Sequence, residues 1–139
     1  CAYMYSAHHQ HRVHFFNLFN NYKHVDALGQ SCNNTEVNTD RIKYNQSMTY
    51  LDEAVQLYSD YKFVLAIENK MVEGYVTEKI INPLIANCIP VYWGSDSVFE
   101  FINKDRIIYA LDYDDSELIK KIREIDDNDD MDSHAYREL

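Results

Sequence analysis

The sequence predicts an α/β fold, a parallel sheet covered by helices on both faces. Three observations lead there. Short apolar runs alternate with segments whose apolar residues recur every three or four positions, along most of the chain. The length, 139 residues, fits one compact domain. The 46% apolar content is enough for a core, and 3 Gly and 2 Pro are too few for a collagenous or linker chain.

The elements follow in order. Residues 1–6 read as a short buried strand, bounded by the polar run H-H-Q-H. Residues 9–22 read as a helix, with Val13, Phe16 and Phe19, and Phe15 with Leu18, at helical spacing. His24 to Leu28 reads as a second strand, broken by Gly29. Residues 30–46 are rich in Asn, Thr and Ser and read as a loop. The triplets Asn33-Asn34-Thr35 and Asn45-Gln46-Ser47 fit the glycosylation pattern, which is common by chance. Met48, Leu51, Val55 and Tyr58 predict a helix over 48–59. Tyr61 to Ile67 is a strand, 68–76 a loop around Gly74, and 77–87 a helix that Pro83 kinks or limits. Ile89 to Trp93 is a strand closed by Gly94. A short helix over 97–103, a strand over 106–111 and a helix over 115–125 complete the domain, 1–125. The remainder, 126–139, reads as an acidic tail that frays.

The net charge of −10 argues against non-specific nucleic-acid binding. Residues 112–139 carry −7 of it, so a local basic pocket is allowed upstream. Cys1, Cys32 and Cys88 cannot all pair and form no C-x-x-C. They favour a reducing compartment, a cytoplasm of bacterial or viral type over a Golgi lumen. No apolar run reaches 18 residues, so neither a membrane helix nor a signal peptide is expected. The start at Cys1, running at once into A-Y-M-Y, reads as a cut with sequence missing upstream.

Ligands of such sheets bind at the carboxyl ends of the strands, near helix N-termini. The most informative stretch there is Glu68 to Gly94. Thr77 can cap the following helix, whose orphan N–H groups and dipole favour an anion. Lys79, so early in a helix, opposes the dipole unless an anion sits there. Glu78 could accept from sugar hydroxyls. The simpler reading has Glu78 complementing the dipole and Lys79 pointing to solvent. Asn69 and Tyr75, taken alone, read as turn and packing residues. His8, His9, His11 and His14 are dense, but they do not share one side and lack a converging carboxylate or thiolate, so no metal site is expected. The tail lacks calcium-loop spacing.

The stretch Y-K-F-V-L-A-I-E-N-K-M-V-E-G-Y-V-T-E-K-I-I-N-P-L-I-A-N-C-I-P-V-Y-W-G resembles the signature of the inverting α1,3/1,4-fucosyltransferases. That signature is F-x-F-E-N-S, a spacer, Y-(I/V)-T-E-K, about ten helical residues and (I/V)-P-(I/V)-x-x-G. Upstream, Cys1 to Ser6, Arg12, Phe15 to Leu18, Tyr22 to Asp26 and Gly29 resemble the same family's first strand, helix and second strand. The likeness spans about residues 1–113. Two positions depart from it: Ile67 stands for the second Phe and Lys70 for the Ser. Lys70 is expected to face water rather than phosphate.

The resemblance implies a Rossmann-like unit, the C-terminal half of a GT-B glycosyltransferase, with GDP-fucose as donor. It assigns Arg12 and Lys79 to the diphosphate, Glu78 to the ribose, and Asn69 and Tyr75 to donor contacts. It leaves the general base to an N-terminal acceptor domain outside this chain. Arg12, Lys79 and the helix dipole meet the phosphate charge and no D-x-D pair stands at a strand end beside them, so no metal and no other cofactor is expected. Alternative readings are a non-catalytic nucleotide-sugar-binding or interaction domain, and a donor domain for another nucleotide sugar.

Overall fold

The computed structural model describes residues 1–5, 7–35 and 50–127. Five parallel strands stand in the order β2-β1-β3-β4-β5: β1 (Ala2–Tyr3), β2 (Asp26–Ala27), β3 (Phe63–Ile67), β4 (Ile89–Trp93) and β5 (Ile108–Tyr109). Among the described residues four helices connect or follow them: α1 (Gln10–Tyr22), α2 (Tyr50–Tyr58), α3 (Glu78–Ile85) and α4 (Asp115–Asp127). Short 3-10 turns occupy Asp96–Glu100, Lys104–Arg106 and Ala110–Asp112. The α/β class and both-sided sheet expected from the sequence are therefore present.

Strand alternation sorts the core into two faces. Leu65, Ile67, Val91 and Ile108 pack with Phe15, Phe16 and Phe19 of α1 and with Leu118, Ile122 and Ile125 of α4. On the other face, Ala66, Tyr92 and Tyr109 pack with Ile80 of α3, and Val64 packs with Ala54 and Tyr58 of α2. β3 is buried along its whole length, as a central parallel strand must be.

β1 and β2 are shorter than the sequence suggests, because side chains take over their ladders. β1 pairs with β3 only at Ala2↔Val64. Beyond that point the Tyr5 hydroxyl donates to Leu65 O at 2.6 Å and accepts from Ile67 N at 2.7 Å. At the edge of β2, Asn34 accepts from Ala27 N and donates to Val25 O, while Asn33 and Thr35 donate to Ala27 O. The Asn-rich loop thus covers an edge that would otherwise offer unpaired backbone groups. The amide of Asn33 also donates to Gly29 O. The second glycosylation triplet, Met48 and most of the expected loop lie outside the described residues.

α3 is shorter than the expected 77–87. Pro83 has no N–H for the carbonyl of Lys79, and the helix ends two residues later, with Asn87 left-handed at φ 62°. The last helix, by contrast, outruns the expected 115–125. Asp126 belongs to α4, where it accepts from Lys23 at 2.6 Å and from Tyr22 at 3.0 Å. Residues 128–139 lie outside the described residues. No helix among the described residues is long and apolar enough to cross a membrane.

Tyr5→Phe tests the ladder substitution. It leaves Leu65 O and Ile67 N buried without partners, at about 1–3 kcal/mol for each such group. Urea unfolding is expected to show a loss of at least about 2 kcal/mol; a change under about 0.5 kcal/mol would show that the two backbone groups find other partners.

Candidate functional site

In the order β2-β1-β3-β4-β5, the chain leaves β1 toward one edge and returns to build the other. The switch point therefore lies between β1 and β3, and ligands of open α/β sheets bind outside the carboxyl ends of the strands there. Three consecutive residues at the end of β3, Ile67, Glu68 and Asn69, organise this place.

Arg12 comes from the first turn of α1. It is buried, its guanidinium lies 4.1 Å over the Tyr5 ring, and Nε donates to Ile67 O at 3.2 Å. Nη2 donates to Asn69 Oδ1. These bonds use two of five N–H donors, and the other three have no acceptor among the described residues. Burial pulls the Arg12 pKa below its ordinary value, with Tyr5, Tyr3 and Glu68 opposing that shift. Burial likewise raises Tyr5 well above the usual phenol value, so its hydroxyl keeps the proton it donates.

On the other face, α3 begins. Thr77 caps it, its Oγ1 accepting from Lys79 N at 3.3 Å. The same hydroxyl donates to Glu68 Oε1 at 2.6 Å, and Thr77 N donates to Glu68 Oε2 at 2.8 Å. The Lys79 ammonium lies 3.8 Å from Glu68 Oε1, 3.8 Å from Glu78 Oε1 and 3.5 Å from Thr77 Oγ1. Its side chain is only 19% exposed, so Lys79 turns back over the helix start instead of pointing to solvent. Glu78 is more open, at 39%.

Of the five residues singled out from the sequence, the structure bonds Arg12 to Asn69 and sets Glu78 beside Lys79. Tyr75 stands on the loop between them, half-buried, with the Lys70 ammonium 4.9 Å over its ring. Lys70 itself is exposed, as expected. Gly74, at φ 80°, shapes this loop and donates its N–H to Ser97 Oγ at 2.9 Å.

The histidines diverge. His8 meets Ser31, His14 meets Asp115, and His9 stacks on His11. His11 donates from Nε2 to Glu68 O at 2.7 Å and packs on Trp93 at 4.3 Å between ring centroids. Among the described residues, no group of three or more His, Cys, Asp or Glu is placed to hold a metal ion.

Sequence reasoning missed Glu68 and Tyr92 as partners. Glu68 has no exposed surface, and Tyr92 donates to its Oε2 at 3.0 Å. Burial, reinforced by Glu68, pushes the Tyr92 phenol upward. Gly94 makes this possible. A Cβ there would stand 2.6 Å from Tyr92 Cζ and 2.8 Å from Glu68 Cγ. The available signal was a Glu directly after five apolar strand residues, in a motif that also ends at Gly94.

With this geometry in hand, comparison with known proteins is decisive. The model of the glycosyltransferase family 10 (fucosyltransferase) C-terminal region matches residues 2–138. The chain belongs to this family. It is 49% identical over 132 residues to a protein of Acanthamoeba polyphaga mimivirus provisionally named a fucosyltransferase, covering 94% of this chain and 22% of that protein. It is 34% identical over 110 residues to human GDP-fucose protein O-fucosyltransferase 3, covering 78% of this chain and 22% of the relative. A crystal structure of an α1,3-fucosyltransferase with GDP-fucose superposes with a TM-score of 0.84 at 26% identity, over 99% of this chain and 38% of the other. The family 10 chain thus spans about a fifth of these relatives' length and under two fifths of the solved structure. Its parallel sheet is the Rossmann-like unit that the sequence motifs imply.

Arg12 and Lys79 separate experimentally by stability. Arg12→Ala strips Ile67 O and Asn69 of a charged donor inside the protein and is expected to cost about 2–3 kcal/mol in urea unfolding. Lys79→Ala, whose polar contacts are long at 3.5 to 3.8 Å, is expected to cost under about 1 kcal/mol. Equal losses would contradict this division.

Proposed function

We propose that this chain is the donor half of a fucosyltransferase and binds GDP-fucose for inverting, α1,3-type transfer to a glycan hydroxyl. The observation that carries the reading is the start of α3, where Lys79 is held over a capped helix N-terminus at the sheet's switch point. The E-N, Y-V-T-E-K and I-P-V-Y-W-G motifs all meet at this place.

The diphosphate lies at the Thr77–Lys79 turn and within reach of Arg12, whose three donors without an acceptor among the described residues suit phosphate oxygens. Glu78, the more open carboxylate, takes the ribose hydroxyls. Asn69 and Tyr75 flank the donor. In the transfer, the acceptor oxygen bonds to the fucose anomeric carbon as the bond from that carbon to the diphosphate breaks. GDP leaves, and the hydroxyl proton passes to a base. Lys79, Arg12 and the helix dipole stabilise the charge growing on the departing diphosphate. The base and the acceptor surface belong to an N-terminal domain beyond this chain. Because protein cations and the helix start meet the phosphate charge, donor binding needs no metal.

Titration of GDP into the chain, at concentrations reaching millimolar, is expected to give binding that ADP and UDP do not match. EDTA leaves it unchanged, and Lys79→Ala weakens it about tenfold or more. Equal binding of the three nucleotides, or a loss to EDTA that magnesium or manganese restores, overturns the reading.

The chain alone is expected not to transfer fucose. A base must stand within about 3 Å of the acceptor hydroxyl, and the advantage of holding both substrates together is lost. GDP release from GDP-fucose should therefore be slow and indifferent to N-acetyllactosamine. Acceptor-dependent release would put a base inside the chain, with Glu73 the first residue to change.

A further inference from the structure

The transfer chemistry above gives Glu68 no part, yet it is a carboxylate with no exposed surface beside the proposed diphosphate site. Its surroundings are specific. Thr77 N, Thr77 Oγ1 and Tyr92 OH all donate to it, at 2.8, 2.6 and 3.0 Å. The first two fix the cap residue of α3, backbone and side chain together. With Thr77 Oγ1 turned to donate, its lone pairs face Lys79 N and Nζ, at 3.3 and 3.5 Å.

The Lys79 ammonium is 3.8 Å from both the Glu68 and the Glu78 carboxylates, well beyond the ~2.7–2.9 Å of a charge-assisted hydrogen bond. At such a distance Coulomb attraction still holds the charge in place. The N–H donors, however, are not spent on either carboxylate. The arrangement draws a half-buried lysine over the helix start and, beyond the long bond to Thr77 Oγ1 at 3.5 Å, leaves its donors for a ligand.

We propose that Glu68 is a positioning residue: through Thr77 and Lys79 it sets the first turn of α3 and its ammonium for the donor diphosphate. The inference rests on the diphosphate reading of this helix start. It makes a counter-intuitive demand. A buried negative charge near a bound anion should by itself weaken binding, so neutralising it should help. If Glu68 acts by positioning, neutralising it must hurt.

The test is Glu68→Gln in the 139-residue chain, with binding of GDP and of guanosine followed by NMR titration and the fold checked by the amide spectrum. The expected result is a loss of GDP affinity of about tenfold or more, with guanosine affinity within about twofold of the original. In a Lys79→Ala background the same change is expected to have little further effect on GDP, because the two residues act as one unit. Unchanged or tighter GDP binding overturns the proposal, as does an equal loss for guanosine, which would mark general damage to the fold. If Glu68→Gln fails to fold, Thr77→Val breaks the hydroxyl link from Glu68 Oε1 to Lys79 and keeps the Thr77 N bond to Glu68 Oε2. A GDP-selective loss there supports the proposal, and no selective loss overturns it. If the original chain itself does not prefer GDP to guanosine, the diphosphate reading fails and this inference fails with it. If that preference stands and Glu68→Gln leaves it intact, only this inference fails.

Discussion

The end of β3 is the constraint on which the site depends. An extended strand sends successive side chains to opposite faces, so neighbouring residues there serve different helices. The main chain of Ile67 and the side chain of Asn69 meet Arg12 of α1. The side chain of Glu68 meets the start of α3, while its carbonyl receives His11 of α1. Two helices on opposite faces are thereby registered against three residues of one strand. A shift of either helix along the sheet would break polar contacts that are buried, where an unpaired group is costly.

That junction is accessible because β1 parts from β3. Had the ladder continued past Ala2↔Val64, Leu65 O and Ile67 N would be paired to backbone and the crevice would be closed by a strand. Tyr5 instead satisfies both groups with one hydroxyl and turns its ring under Arg12. The same side chain therefore opens the switch point and provides the floor on which a buried guanidinium rests. Gly29 presses against this residue as well: a Cβ at Gly29 would stand 2.6 Å from Tyr5 O.

The central elements were legible because burial on both faces leaves a plain mark. Phe63 to Ile67 and Ile89 to Trp93 are runs with little choice but a central strand, and the phenylalanines of α1 repeat at helical spacing. β1 and β2 were less legible, since Asn33, Asn34 and Tyr5 do with side chains what the pattern assigns to backbone. Asp126 illustrates a second limit. Within an acidic run it reads as a loose end, but its partner Lys23 lies 103 residues away in sequence. The site was half legible. Thr77, Glu78 and Lys79 carry a local signature of a helix start, and the motif match adds Arg12, Asn69 and Tyr75. Glu68 left only one local sign, a carboxylate directly after five apolar strand residues, because its role depends on the register that lays Gly94 and Tyr92 beside it.

The anion site proposed for this chain of net charge −10 looks contradictory until screening is considered. Most of that charge belongs to residues 112–139, whereas the site is built from residues 5 to 94. At physiological ionic strength exposed charges are largely screened beyond a Debye length of about 8 Å. Arg12 is buried and Lys79 is mostly shielded, so their fields are screened least where a ligand would meet them. The carboxylate of Glu68 is buried as well, and it lies behind the Thr77 cap with three hydrogen-bond donors already directed at it. Local donors and their burial, not the sum over the chain, thus decide the sign of the potential that an approaching diphosphate meets.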